Sequence, residues 1–154
     1  MHVNDLPPVS ELLPHRGKVL LLDRVLEHDT ESTTTRVSIE RQTWLKRDDG
    51  SVASWVALEY MAQCIATHEG IRAYLRGVPP VRGSLAAVVG VRLYRSYFEA
   101  GELLRVRTQR VSGRPGLGVI SHFCTVHEDR PTGEGQLLAE GRLSIAIPKP
   151  NLSQ

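Results

Sequence analysis

Glu59 and Gln63 are the strongly polar members of an otherwise apolar run, residues 55–67 (WVALEYMAQCIAT). On a helix their four-residue spacing stacks the two side chains on one face. A helix apolar on almost every side is expected to be buried all round. A carboxylate there costs several kcal/mol unless it is paired, neutralised or used. Burial would raise the Glu59 pKa toward neutrality and suit it to donate a proton, with Gln63 one turn on orienting the carboxyl or a water. The bland alternative is a satisfied buried polar pair that fixes the helix orientation, and residue types alone leave both open.

The other side chains capable of chemistry are less well placed. His68, nine residues after Glu59, faces the opposite side of such a helix and is expected to be structural or exposed. His15 lies in an N-terminal segment and is expected to bond local backbone, with replacement of a catalytic base as the lesser alternative. His122 and Cys124 share a strand face, but two ligands without a third make a poor metal site, so no metal is expected. Arg92, Arg95, Arg105, Arg107 and Arg110 populate two neighbouring strands. They read as a solvated outer face, or as a docking face for an acidic partner whose approach the charge would speed.

The elements that must position these groups follow from the punctuation of the chain. Ser54 is expected to cap the long helix at its N-terminus, and Gly77 with Pro79 and Pro80 to end it, giving about six turns. A short helical turn is expected at 8–13, and strands at 19–27 and 33–41, the second alternating Val37 and Ile39 against Arg36, Ser38 and Glu40. After the helix the pattern changes to four long strands, 83–97, 102–111, 117–128 and 136–148, separated by turns rich in Gly and Pro. Short links favour antiparallel pairing. The result is an α+β fold, a curved antiparallel sheet wrapped around one long helix. One sheet cannot cover such a helix on all sides, so a dimer is expected.

Composition narrows the function classes. At 154 residues the chain is read as one domain over 1–150, with a frayed tail at 151–154. A net charge of +2 and the lack of an aromatic-plus-basic cluster argue against nucleic acid. The apolar core of the helix is too short, and carries Glu59 and Gln63, so no membrane span is expected. The N-terminal residues have no apolar signal core, and Cys64 and Cys124 form no disulfide framework, so a cytoplasmic location is expected.

Two segments carry a resemblance. Leu13-Pro14-His15-Arg16 followed by Leu20-Leu21-Leu22-Asp23-Arg24-Val25, and Leu58-Glu59-Tyr60-Met61-Ala62-Gln63, resemble the paired motifs of the 3-hydroxyacyl-carrier-protein dehydratases, the FabZ/FabA group of hotdog folds. The run from Ser54 to Gln63, with Gly83-Ser84-Leu85-Ala86 downstream, is most similar to the ApeP-type branch, associated with aryl-polyene synthesis. The resemblance implies a hotdog fold and a dehydratase-like activity on acyl thioesters held by an acyl-carrier protein. It implies catalytic roles for Glu59 and Gln63, and substrate contacts at Ser54, Trp55 and Gly83. The amides near Ser54 and Trp55, at the helix N-terminus, would polarise the thioester carbonyl. No cofactor is implied, and the partners expected are the carrier protein or acyl thioester and a second hotdog subunit, identical or distinct. One element of the family pattern is missing: where its members carry a catalytic histidine in a Gly-His-Phe-Pro-Gly loop, this chain has Leu45 within Thr43-Trp44-Leu45-Lys46. Two rival functions follow, a non-catalytic subunit that stabilises an active dehydratase and an acyl thioesterase in which Glu59 activates water.

Overall fold

The long helix expected around Glu59 spans Ala57–Arg76 and follows a short helix at Val9–Leu12 (α2 and α1). The computed structural model describes residues 2–15, 17–80, 82–112 and 118–148. The expected turn at 113–116, the tail at 151–154 and Arg16 of the N-terminal motif therefore lie outside the described residues. The strands are β1 Arg24–His28, β2 Ser32–Ser38, β3 Val52–Ala53, β4 Ser84–Leu93, β5 Tyr97–Phe98, β6 Leu103–Ser112, β7 Val119–Arg130 and β8 Gly133–Ala146. Six of them form one antiparallel sheet in the order β1-β2-β6-β7-β8-β4, and β3 pairs with β5 in a separate ribbon.

The sheet packs one face on α2. Tyr60, Met61 and Cys64 of the helix are sealed against Val37, Val106 and Val126 of β2, β6 and β7. Alternation along β6 turns Leu104, Val106, Thr108 and Arg110 toward the helix, with Arg105 and Arg107 on the outer face. The C-terminus of α2 ends as its sequence implies: Gly77 takes φ 66°, and its amide and that of Val78 close onto the last-turn carbonyls.

The N-terminus of α2 departs from expectation. Residues Ser54–Val56 form a 3-10 turn, α2 begins at Ala57, and Ser54 contributes no side-chain cap. The Ser54 amide instead donates to the carbonyl of Ser96 at 3.0 Å, tying the helix entrance to the chain before β5.

The strand expected at 19–27 is shorter for a similar reason. Gly17–Val19 form a turn and ladder pairing starts only at Arg24. Ahead of it, the Leu21 amide donates to Gln63 Oε1 at 2.9 Å and the Leu21 carbonyl accepts from Gln42 Nε2 at 3.1 Å. Two buried amide side chains thus stand in for a neighbouring strand, satisfying backbone groups that burial would otherwise orphan. Similarly, the strand expected at 33–41 gives way at Ile39 to a 3-10 turn, and the one expected at 83–97 divides into β4 and β5.

Helix α2 is not buried all round. Its outer face, with Glu59, Ala62, Ala66, Glu69 and Arg72, is left partly uncovered by the sheet. At one edge of the sheet β4 is exposed along nearly its whole length, including Leu85 at 50%, Val88 at 39% and Val89 at 59%.

Candidate functional site

The open face of α2 and the ends of β7, β8 and β4 enclose a groove of about 770 Å³. Its middle is apolar, with Ala62, Ile65 and Ala66 of the helix opposite Ile120 and Ile145 of the sheet. Both ends are polar.

At one end stands Glu59. Gln63 Nε2 donates to Glu59 Oε1 at 2.9 Å, the contact that the i,i+4 spacing implies. Gln63 itself is fully buried and lies under the groove rather than on its wall. Its second Nε2 hydrogen bond runs to the Val19 carbonyl at 2.6 Å, while its Oε1 receives the Leu21 amide. The expectation that Glu59 is deeply buried is corrected: its side chain is 50% exposed, because the sheet does not reach the helix face that carries it.

His15 completes this end. Its Nε2 lies 3.7 Å from Glu59 Oε1, although 44 residues of chain separate the two. The contact depends on α1 docking against α2: a Cβ on Gly70 would sit 2.3 Å from the Leu12 carbonyl oxygen, so only glycine permits that approach. Leu12 and Leu13 are buried there, and the chain emerges through Pro14 with His15 beside Glu59. The sequence reading of His15 named no contact with Glu59. The signal available was its place in the Leu-Pro-His-Arg motif.

The remaining expected contacts divide. Gly83 lines the groove, and a Cβ there would approach Ile145 Cγ2 to 2.4 Å. Ser54 is buried and Trp55 is 64% exposed, and neither is part of the groove lining. With its amide already bonded to Ser96, Ser54 is not available as an oxyanion donor in this arrangement.

The loop that would hold the family histidine lies at the surface, with Trp44 53% exposed, and turns only Leu45 partly inward. Leu45 packs against the core, its amide bonded to the Gln42 carbonyl at 3.0 Å, and Trp44 Nε1 donates to the Lys18 carbonyl at 2.6 Å.

At the other end Glu69 meets Arg72 at 3.3 Å and lies 3.8 Å from His122 Nε2. Burial would raise the Glu69 carboxyl, but the contacts with His122 and Arg72 outweigh it and hold the group below its ordinary value. Behind it, Thr108 Oγ1 pairs with His122 Nδ1 at 2.8 Å, and Thr33 Oγ1 bridges His28 Nδ1 and His68 Nδ1, each at 2.8 Å. His68 is thus a buried structural histidine, and burial pushes it down to about 4. Burial also pushes the Cys64 and Cys124 thiols up to about 12, and both are free. No cluster of three metal-ligating side chains occurs among the described residues.

Of the arginines, Arg95 pairs with Glu102 and Glu99, and Arg105 with Asp129 at 2.9 Å. Arg107 reaches Ser32 Oγ at 3.3 Å. Arg92 is exposed, and Arg110 turns inward to line the groove.

A family model described as ApeP dehydratase, ApeP-like, matches residues 7–154. The chain belongs to the ApeP-like dehydratase family. Among solved structures, the dehydratase heterocomplex ApeI:P from Xenorhabdus doucetiae matches with a TM-score of 0.83 at 24% identity, covering 94% of this chain and 93% of that one. Zebra fish thioesterase superfamily member 2 matches with a TM-score of 0.62 at 15% identity, over 91% and 93% of the two chains. A mutant of the phenylacetic acid degradation protein PaaI from Thermus thermophilus matches with a TM-score of 0.59 at 13% identity, over 84% and 95%. At these identities the likeness is one of fold, and the fold is the α+β hotdog. A comparison of the sequence with curated proteins finds no match. No helix among the described residues is long and apolar enough to cross a membrane.

Proposed function

We propose that this member of the dehydratase family works as a subunit of a 3-hydroxyacyl-carrier-protein dehydratase in aryl-polyene or fatty-acid-like synthesis. The acyl thioester lies in the groove, and His15 and Glu59 carry the proton transfers. The observation behind this reading is the meeting of an imidazole and a carboxylate, 3.7 Å apart, at the mouth of an apolar groove.

Dehydration removes a proton from C2, forms the C2–C3 double bond with that electron pair, and breaks the C3–O bond as the departing hydroxyl takes up a proton. The His15 imidazole accepts the C2 proton and relays it through the Glu59 carboxylate to the departing hydroxyl, so water leaves and both side chains return to their starting forms. Gln63, tied to the backbone on its far side, holds the carboxyl through Nε2 and acts as a positioning residue. Pairing with a second hotdog subunit, identical or distinct, would cover the exposed apolar β4 and the open side of the groove. The free cysteines suit a reducing compartment such as the cytoplasm.

A second reading is favoured by Leu45, a partly buried aliphatic side chain where the family has its base: a non-catalytic subunit supporting an active partner. One assay separates them. The protein, alone and with a dehydratase-family partner, is given a 3-hydroxyacyl-carrier-protein substrate, and enoyl product and free thiol are followed. Enoyl formation lost by at least about a hundredfold in both Glu59→Gln and His15→Ala is expected. Activity that needs the partner and survives both substitutions selects the supporting role, and release of thiol without enoyl product selects a thioesterase.

A further inference from the structure

A second cleft, of about 290 Å³, opens beside the groove between α1, α2 and the chain entering β4, with Leu12, Pro14, Gly70 and Pro80 in its walls and Arg82 beside them. His15, Ala66 and Gly83 line both spaces, so the two meet at the imidazole. Ala66 is the divide. At about 100° per residue, Gly70 lies about 40° to one side of it and Glu69 about 60° to the other, so cleft and groove run down opposite flanks of one small side chain. Both walls of the cleft are held by approaches that only glycine permits: Gly70 admits the Leu12 carbonyl against α2, and Gly83 admits Ile145 against the start of β4. Apart from His15 and Arg82, the lining side chains carry no polar group.

We propose that this cleft holds the hydrocarbon tail of the acyl group. The inference rests on the thioester reading above and adds to it where the far end of the substrate lies. An acyl thioester that reacts at C2 and C3 extends two ways from the reacting carbons, through the sulfur on one side and through C4 on the other. The cavity forks in the same way at His15. The sulfur-side arm carries amides and hydroxyls that need polar partners, and the groove has polar groups at both ends. The tail beyond C4 has no such groups, and the cleft offers it a preformed apolar space in which no polar group is stripped of water. At the fork the helix presents only the methyl of Ala66, so a chain can pass from one space into the other. Arg82 is exposed, so its stem can cover the tail while its guanidinium stays in water, and with Pro80 it sets how much of the tail is covered.

The test uses the full chain and isothermal titration calorimetry with a series of saturated acyl pantetheines from acetyl to decanoyl, an amide replacing the thioester so that neither elimination nor hydrolysis intervenes. In the wild type Kd is expected to fall about two- to fourfold per methylene as the tail enters the cleft, then to level off once the cleft is full. Arg82→Trp, which puts an indole into the cleft, is expected to flatten the series and to leave the acetyl member, too short to enter, as in the wild type. Val119→Trp, on the groove side alone, is expected to weaken every member alike. A wild-type series that is flat throughout would overturn the cleft as a tail site while leaving the groove as a thioester site intact. So would a chain-length dependence that survives Arg82→Trp in protein with the wild-type circular dichroism spectrum. Failure of every member to bind would remove the thioester reading and the tail site together. A measurement on the wild type covers the case in which Arg82→Trp does not fold. An octanoyl member with a diazirine at its end is irradiated, and the labelled residues are found by mass spectrometry. Label on Leu12, Pro14 or Pro80 is expected; label confined to Ile120, Ile145 or Ile147 would put the tail in the groove and overturn the proposal.

Discussion

Replacing Gln63 by methionine removes a side chain that ties three segments together while nearly preserving volume. Gln63 accepts from the Leu21 amide, donates to the Val19 carbonyl and donates to Glu59. The three losses are unequal. Leu21 is buried, so its amide is left without an acceptor, a cost of about 1–3 kcal/mol. Val19 is 53% exposed and the Glu59 side chain 50%, so water replaces those two partners at little cost. The net expectation is a destabilisation of about 2 kcal/mol, which for a domain of this size lowers Tm by roughly 4–8 °C. Urea unfolding followed by circular dichroism measures it, with an unchanged m-value required for the comparison. Combining the change with Glu59→Gln isolates the side-chain pair, and a coupling of about 0.5 kcal/mol or less is expected, since exposed partners are screened. A total change below about 0.5 kcal/mol would refute the claim that Gln63 replaces a strand for Leu21. A coupling close to the whole effect would refute the claim that its main tie is to the backbone.

Two further expectations rest on the same packing. His68 is pushed down to about 4 in the folded chain, against an ordinary value of 6.5 when unfolded. As pH falls from about 6.5 to about 4 the unfolded state gains a proton that the folded state does not, so stability present above that window is lost across it. The loss is on the order of 3 kcal/mol; His68→Gln should flatten that part of the stability–pH curve, and an unchanged slope would show that another group is responsible. Gly70→Ala should destabilise by about 1–3 kcal/mol despite alanine's better helix propensity, because the new Cβ meets the Leu12 backbone. By moving α1 it should also weaken any activity that depends on His15, and a neutral or stabilising result in thermal unfolding would mean α1 is free to shift.

Much of this architecture is legible in the sequence. Gly77 with two prolines behind it ended α2 as the sequence implied, because a left-handed cap and residues unable to continue a helix act locally. The i,i+4 contact between Glu59 and Gln63 was legible for the same reason: helix geometry alone makes those side chains neighbours. Alternation identified β6, β7 and β8 to within a few residues, since one face of each strand packs on α2. Position 45 was equally readable as lacking a histidine. The shortened first strand was not, because Gln63 and Gln42 take over the hydrogen bonds of Leu21 from elsewhere in the chain.

The same division separates the groups at the site. Sequence determined that a carboxylate and an amide share one face of a long helix flanked by antiparallel strands, since those relations depend on periodicity within a few turns. Tertiary structure decided that Glu59 lies on the face the sheet leaves open, that His15 reaches it, and that Arg110 turns into the groove. Each of those facts depends on how distant segments close on one another, as α1 does through Gly70, and the pattern of residues along the chain carries no measure of that closure.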